Sequence, residues 1–180
     1  MNKQFIALVM VLVTVSYCEL VPAEPNVPKG IITLDGRPAP ALQLKDMDGN
    51  AYDIRESRGQ WVFVHFWASW CGPCRREMPT VQRMASKLED QPIKFVLVNT
   101  SETDDTVFNF LGVVAPDMST LMDRDGLVTE RWQPRGLPAS FFVSPRGTLE
   151  YIALGGRKWD KPPLFDFVKQ VIMAPGKADN

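Results

Sequence analysis

The chain has 180 residues, with 20 Lys and Arg against 21 Asp and Glu, three cysteines and one histidine. This length predicts one compact domain, and a net charge of -1 gives no electrostatic reason to expect a nucleic-acid partner. Hydrophobic residues make up 45% of the chain, enough for a core without disulfide staples. Three cysteines are too few for a stapled secreted mini-domain, and one histidine is too few for a histidine-based zinc site.

The N-terminus predicts an export signal. An apolar run at residues 5–15 follows a start that carries Lys3, and the run is shorter than the about 20 residues of a membrane-spanning helix. We expect residues 1–23 to be a signal peptide that is removed after Ala23. The alternatives are retention as an uncleaved short anchor and lipidation of Cys18, although a lipidated cysteine normally follows a small residue rather than a tyrosine. Removal would leave two cysteines in an oxidising compartment.

The first part of the mature chain predicts mainly β-structure. Residues 24–36 contain prolines and predict an extended lead-in. Two short alternating stretches between residues 41 and 54 flank an Asp-Gly-Asn turn at residues 48–50, which predicts a β-hairpin. Residues 61–67 are a nearly continuous run of apolar β-branched and aromatic side chains, which is typical of a strand buried on both faces.

Helices and strands alternate after this strand. Apolar residues at helical spacing from 78 to 88 predict a helix that follows Cys74 and is kinked at Pro79. A second buried strand at residues 93–98 precedes a helix with apolar positions from 107 to 114. The remaining elements are a short helix at 127–132, strands at 139–143 and 148–154, and a final helix that begins at Pro162-Pro163. The predicted order is β-α-β-α and then β-β-α.

The segment Trp70-Cys71-Gly72-Pro73-Cys74 contains the residues that can carry chemistry, because it connects a buried strand to a helix. A Cys-x-x-Cys pair at a helix start places the first sulfur beside unpaired backbone N–H groups, which stabilise a thiolate. We therefore expect Cys71 to be the exposed nucleophile, and Cys74 to be more buried and to resolve a mixed disulfide. A structural disulfide is the alternative, but so small a loop removes little entropy from the unfolded chain.

The residues around this motif resemble a known family. Residues 66–79, Phe-Trp-Ala-Ser-Trp-Cys-Gly-Pro-Cys-Arg-Arg-Glu-Met-Pro, closely resemble the active-site segment of thioredoxin-like proteins, above all the exported branch typified by TlpA and ResA. The similarity continues between residues 40 and 49 and at residues 136–140, and it covers roughly residues 37–173. It implies an α/β thioredoxin fold, with a central mixed β-sheet flanked by helices and an N-terminal β-hairpin extension. Residues 174–180 would then be a C-terminal tail.

The resemblance also implies a substrate-binding surface. Pro138 matches the family's cis-proline, whose loop faces the cysteine pair, and the preceding Leu137 would pair with the substrate backbone. Trp70, Gly72 and Pro73 would form the rim that contacts a partner chain.

Two ionisable residues are candidates for helping the cysteines. His65 lies six residues before Cys71, where thioredoxins proper carry a buried acid. It is either a proton shuttle for the resolving thiol or a packed core histidine. Glu77 lies one helical turn after Cys74 and either tunes the pair electrostatically or is an ordinary first-turn acid.

The function implied by the resemblance is protein thiol–disulfide oxidoreduction in the periplasm or an equivalent exported site, with no cofactor beyond the cysteine pair. The Gly-Pro dipeptide is that of thioredoxin, whose potential is about -270 mV against about -120 mV for the oxidant DsbA, and this favours a reductant. Partners would be proteins with disulfides or thiols, apocytochrome c among them, and a membrane thiol reductase of the DsbD or CcdA kind as electron donor. We expect a monomer.

Three other interpretations use residues of the same chain. Cys71 and Cys74 could hold Cu(I) as in a metallochaperone, although the mature chain has no further cysteine. A peroxiredoxin-type peroxidase would need a Pro and a Thr just before its cysteine, and residues 67–70 lack both. The Asp-x-Asp-Gly segments at residues 46–49 and 123–126 do not fit the EF-hand spacing, so no metal site is predicted.

Overall fold

The structure is a computed structural model that describes residues 25–174. The predicted signal peptide at residues 1–23, the alternative lipidation site Cys18 and residues 175–180 of the predicted tail lie outside the described residues.

Eight strands and four helices form within residues 25–174, together with a short 3-10 turn at Ile54–Ser57. The elements in chain order are β1 (Ile31–Thr33), β2 (Gln43–Lys45), β3 (Ala51–Asp53), β4 (Trp61–Trp67), α1 (Gly72–Lys87), β5 (Ile93–Thr100), α2 (Asp104–Val114), β6 (Leu121–Asp123), α3 (Leu127–Trp132), β7 (Ala139–Val143), β8 (Leu149–Leu154) and α4 (Leu164–Met173).

Six of the strands form one mixed sheet in the order β1-β8-β7-β4-β5-β6. Strands β4, β5 and β6 are parallel, whereas β7 is antiparallel to both β4 and β8, and β1 is antiparallel to β8. Strands β2 and β3 form a separate two-stranded hairpin. The predicted mixed central sheet with an N-terminal hairpin is therefore confirmed.

Two short strands differ from the sequence prediction. The predicted extended lead-in contains β1, whose Ile31 pairs with Ala153 of β8, so the lead-in supplies an edge strand of the main sheet. Strand β6 lies between α2 and α3, so the predicted element order lacks one strand. Each of these strands has three residues, and neither is marked by a hairpin turn such as the Asp-Gly-Asn turn that identified the equally short β2 and β3.

Strand β4 separates two hydrophobic clusters, because alternate side chains of a strand point to opposite faces of a sheet. All seven of its residues are buried. Phe63 and Trp67 pack on the side of α1, α2 and α4, and Phe66 packs on the side of α3 and the hairpin. Helix α1 runs uninterrupted through Pro79 and buries one face against the first cluster.

The candidate residues come together at one end of the sheet, where β4 and β8 end and β7 begins. We call this end the redox edge. Strand β4 ends here just before the cysteine motif, and β7 begins here, since Phe66 pairs with Ala139. Strand β8 ends at the same edge, since Ala139 pairs with Leu154. Three segments distant in sequence therefore meet beside the cysteines. Within residues 25–174 no helix is long and apolar enough to cross a membrane.

Candidate active site

Cys71 and Cys74 are joined by a disulfide at the N-terminus of α1, with their Cα atoms 5.2 Å apart. Cys71 is the N-cap residue of the helix, and its Sγ accepts a hydrogen bond from the backbone N–H of Cys74 at 3.2 Å. Cys74 is 0% exposed and Cys71 is 5% exposed. The predicted order of burial is confirmed. The prediction that Cys71 is exposed is wrong for this oxidised state, because the disulfide holds its sulfur against the first turn of the helix.

The segment before the cysteines is held by a carboxylate from the loop after β5. Glu102 accepts a hydrogen bond from the backbone N–H of Ser69 at 2.7 Å and another from the Ser69 hydroxyl. Asn99 Nδ2 donates to the same carboxylate at 2.7 Å, which fixes its orientation. Glu102 could not be predicted from the sequence, because a single polar residue in a distant loop has no diagnostic pattern.

The two tryptophans of this segment have different surroundings. Trp67 is fully buried, donates from Nε1 to Thr120 Oγ1 at 3.1 Å, and stacks on Phe110 with ring centroids 5.0 Å apart. Trp70 is 70% exposed beside the cysteines. The guanidinium of Arg75 lies over the Phe110 ring, 5.2 Å from its centroid. The exposed indole of Trp70 is available at the surface, and contact of Trp70 with a partner chain stays a prediction.

The peptide bond between Leu137 and Pro138 is cis, as predicted. Pro138 is buried, and its carbonyl accepts a hydrogen bond from the N–H of Gly155 at 2.8 Å. Leu137 is half-buried and packs against both hydrophobic clusters. These contacts place the loop at the redox edge, and pairing of Leu137 with a substrate stays a prediction.

At the start of α1, Gly72 is half-buried and Pro73 is exposed, and Gly156 in the loop after β8 lies close to Pro73. A Cβ atom at Gly156 would lie 3.2 Å from Pro73 Cβ and 3.3 Å from the Pro73 carbonyl oxygen. This approach is tighter than most side chains allow, so a glycine at this position lets the loop reach the motif. No motif in the sequence marks this glycine.

A cleft of about 390 Å³ opens beside the motif on the side of this loop. It is lined by Pro73, Arg76, Glu77, Gly156, Arg157 and Lys158. Of these residues, only Pro73 and Glu77 were predicted as site residues. The cleft forms where α1 lies beside the loop after β8, and this contact cannot be predicted from local sequence.

Glu77 is 1% exposed although it lines the cleft. Its Oε1 accepts a hydrogen bond from the indole N–H of Trp159, and its Oε2 has no partner among the described residues. Burial raises the pKa of Glu77 to about 8, although the hydrogen bond from Trp159 and the nearby Arg157 oppose that rise. The carboxyl is therefore mostly protonated at neutral pH. The interpretation of Glu77 as an ordinary first-turn acid is wrong, because the residue lies beyond the first turn of α1 and is buried.

Trp159 is the residue that orients the Glu77 carboxyl, and the sequence analysis missed it. It is fully buried, its ring packs edge-on against Phe63 at 5.0 Å, and its backbone N–H donates to Thr80 Oγ1 at 3.1 Å. It lies in a loop between β8 and α4, where a lone tryptophan belongs to no periodic pattern.

His65 lies in the middle of β4, on the same face as Phe63 and Trp67. It is fully buried, and its Nδ1 shares a hydrogen bond of 2.9 Å with Ser140 Oγ on the neighbouring β7. Its ring stacks on Phe63, and its Nε2 has no partner among the described residues. Burial lowers the pKa of His65 to about 3, so the imidazole is neutral at ordinary pH.

No group of three or more His, Cys, Asp and Glu side chains within residues 25–174 is arranged to hold a metal ion. Binding of Cu(I) by the reduced pair of Cys71 and Cys74 stays a prediction, which metal analysis of protein purified in the reduced state would test.

The chain is similar to a known family and to known thiol–disulfide proteins. The sequence model of the AhpC/TSA family matches residues 36–152. Thiol-disulfide oxidoreductase ResA of Bacillus subtilis is 28% identical over 121 residues, which are 67% of this chain and 68% of that protein. A Chlorobium tepidum structure, named as a candidate thiol:disulfide interchange protein DsbE, matches with a TM-score of 0.70 at 27% identity over 78% of this chain and 99% of that one. StoA from Bacillus subtilis shares the fold, with a TM-score of 0.59 at 24% identity over 66% of this chain and 90% of that one.

Proposed function

The chain belongs to the AhpC/TSA family of thioredoxin-like proteins, and we propose that it is an exported reductant of protein disulfides. The predicted thioredoxin fold is confirmed, and the protein is a thiol–disulfide oxidoreductase. The observation that carries the proposed chemistry is the disulfide between Cys71 and Cys74 at the start of α1, with Cys74 fully buried.

The first step of the proposed reaction belongs to Cys71. In the reduced protein its thiolate attacks one sulfur of a substrate disulfide, forms a mixed disulfide and releases the other substrate sulfur as a thiolate, which takes up a proton. Its position at the helix N-terminus supports this role, because the backbone N–H groups of the first turn stabilise a thiolate. Trp70 directly precedes Cys71, the cis-Pro138 loop lies at the redox edge, and we propose that both hold the substrate chain.

The second step belongs to Cys74. Its thiolate attacks Cys71 Sγ, the second substrate sulfur leaves and is protonated, and the protein is left with the Cys71–Cys74 disulfide seen in the structure. Two electrons have then passed from the dithiol to the substrate. The burial of Cys74 supports this order, because a substrate disulfide cannot reach it first.

The buried Cys74 thiol must lose a proton before it attacks, and we propose that the ionised fraction of Glu77 accepts that proton. The carboxyl lies one turn further along α1, and its pKa of about 8 allows it to exchange a proton near neutral pH. His65 is the weaker candidate, because a group with a pKa of about 3 is a poor proton acceptor at neutral pH. We therefore propose that His65 is a packed core residue.

Two parts of the proposal, the direction of electron transfer and the export of the protein, are supported by the sequence. The Gly-Pro dipeptide between the cysteines favours a thioredoxin-like low potential, and the apolar N-terminal run supports export. An exported reductant needs a source of electrons, for which we propose a membrane thiol reductase of the DsbD or CcdA kind. The absence of a Pro and a Thr before Cys71 supports a disulfide rather than a peroxide as substrate.

Trapping of the mixed disulfide tests the function. We expect Cys74→Ser to accumulate a covalent complex with a disulfide-bonded test protein, because the resolving thiol is missing, and we expect Cys71→Ser to form none. The adduct is measured on a non-reducing gel and by mass spectrometry at Cys71. A wild-type protein that reduces the test disulfide no faster than Cys71→Ser would contradict the proposal, and a redox potential near that of DsbA would reverse its direction.

A further inference from the structure

The cleft beside the disulfide is lined by three cationic side chains and one buried carboxyl, that of Glu77. Arg76 and Lys158 are exposed, and Arg157 is half-buried. None of these three forms an ion pair with a carboxylate among residues 25–174. By contrast, Arg83 on the same helix as Arg76 pairs with Asp160 at 2.7 Å. The cleft therefore gathers three cations without salt bridges beside the redox motif, although cations without salt bridges also lie elsewhere on the surface.

Arg157 is a fixed cation rather than a mobile surface side chain. Its Nη2 donates to the carbonyl oxygens of Gly30 and Leu154, both at 2.9 Å. Its Nε is buried and has no partner among the described residues. Both bonded acceptors are uncharged, so these hydrogen bonds fix the guanidinium without neutralising it, and Glu77 is the acid whose pKa it lowers.

The carboxyl in the cleft does not supply the missing negative charge. Glu77 is mostly protonated at neutral pH, so it offsets little of the charge of the three cations, although Arg157 lies close enough to lower its pKa. The polar side chains that line the cleft are then donors or cations, and Pro73 and Gly156 add a small apolar surface. A complementary ligand must present acceptor oxygens and negative charge, which an aspartate or glutamate side chain does.

We propose that this cleft docks an acidic side chain of the polypeptide substrate, close in sequence to the cysteine that reacts with Cys71. The inference rests on the proposed function and adds a substrate preference to it. A polypeptide is the occupant because Pro73 belongs both to the cleft and to the redox motif, so a chain that reaches Cys71 passes the cleft within a few residues. Each extended residue spans about 3.3–3.6 Å, so an acid a few positions from the cysteine covers that distance.

Three matched peptides test the preference. Each contains one intramolecular disulfide, and the residues that flank its cysteines are Glu, Gln or Lys with the rest unchanged. Reduced wild-type protein is mixed with each peptide, and the single-turnover rate is measured by acid quench and mass spectrometry. We expect the Glu peptide to be reduced about tenfold faster than the Gln peptide at low salt, because complementary charge raises the encounter rate. The ratio should approach one at 1 M salt, where the screening length is about 3 Å.

Charge reversal assigns the preference to the cleft. The double substitution Arg76→Glu with Lys158→Glu should make the Lys peptide the faster substrate, and circular dichroism checks that the variant is folded. The matched control is Arg146→Glu, which reverses an exposed arginine in the β7–β8 turn at the opposite edge of the sheet and should keep the wild-type preference.

The outcomes separate the two proposals. Equal rates for the Glu and Gln peptides in wild type, or an unchanged preference in the double variant, would overturn the docking site and leave the reductase function standing. If wild-type protein reduces none of the three peptides, the reductase function and the docking site are both overturned.

Discussion

Two regions on the α1 side of the sheet each bury one ionisable side chain. We call them the strand core, which holds His65 in β4, and the cleft edge, where Glu77 lines the cleft. Burial lowers the pKa of His65 and raises the pKa of Glu77. His65 lies between strands with Ser140 and Phe63 as neighbours, and burial makes it a deprotonated imidazole. Glu77 lines an open cleft, and burial makes it a protonated carboxyl. Both groups are neutral at pH 7, because burial disfavours whichever form is charged.

The difference shows that burial alone does not make a proton-exchange site. A pKa of about 3 is far below neutral pH, so His65 has no protonated form to use there, whereas a pKa of about 8 leaves Glu77 able to gain and lose its proton. Trp159 contributes to this setting, because its hydrogen bond favours the charged carboxylate and limits the rise caused by burial. We therefore propose that proton exchange takes place at the cleft edge and that the strand core is structural.

The largest expected effect is a difference between wild type and Glu77→Gln in how the free energy of unfolding depends on pH. The carboxyl has a pKa of about 8 when folded against 4.5 in the unfolded reference, so between these values the folded state holds a proton that the unfolded state lacks. The free energy of unfolding then falls as pH rises, by about 1.4 kcal/mol per pH unit from this group alone. Gln cannot ionise, so its stability relative to wild type should rise by roughly 4 kcal/mol between pH 5 and 8.

Urea unfolding of the oxidised proteins at several pH values measures this difference. His65 contributes the opposite slope between pH about 3 and 6.5, because there the unfolded state holds the extra proton. That contribution is present in both proteins and cancels in the comparison. Parallel stability profiles for wild type and Glu77→Gln would show that the buried carboxyl does not titrate abnormally.

The next effect in size is on the exchange reaction. We expect Glu77→Gln to slow resolution of the mixed disulfide by about 100-fold, because general acid–base catalysis contributes at least about that factor. Rapid mixing with a peptide mixed disulfide at Cys71 measures this step directly. The matched control is Glu89→Gln, which neutralises an exposed acid just after α1 and should leave the rate unchanged. Equal rates for the two variants would remove Glu77 from the mechanism.

Trp159→Phe should produce a smaller shift. It keeps an aromatic ring against Phe63 but removes the indole N–H that favours the carboxylate, so the pKa of Glu77 should rise by about one unit. Carbon-13 NMR of the Glu77 carboxyl in oxidised protein reads this value without interference from the cysteines. Trp132→Phe is the control, because its indole donates to the Ala41 carbonyl on the other face of the sheet. Identical midpoints in both variants would mean that Trp159 does not act on Glu77.

The smallest effect tests the strand core. Ser140→Ala removes the hydrogen-bond partner of His65 Nδ1 and should cost about 1 kcal/mol of stability, with no change in the exchange rate. Thermal unfolding and the resolution assay measure the two quantities on the same sample. If Ser140→Ala resolved the mixed disulfide tenfold more slowly while its stability stayed native, the strand core would not be purely structural, and His65 would be a proton carrier.

The sequence could predict those parts of the molecule that depend on local pattern. The run from Trp61 to Trp67 is apolar at nearly every position, so it could only be a central strand, and all seven residues are buried. The Cys71–Cys74 pair at a helix start could be predicted from its spacing, whereas the cis bond at Pro138 could be predicted only from the family resemblance. Strands β1 and β6 were missed because three residues show too little alternation of apolar and polar side chains, and no turn motif marks either strand.

The surroundings of the cysteines were decided only by the tertiary structure. Sequence alone determined that two cysteines at the end of a buried strand would form a redox pair, since strand, motif and helix are contiguous in the chain. Trp159, Gly156 and Arg157 reach the pair because β8 ends at the same edge of the sheet where β4 ends. Whether Glu77 or His65 keeps a usable proton likewise depends on burial and on partners supplied by distant segments. Such partners depend on the register of neighbouring strands, which no local pattern in the chain encodes.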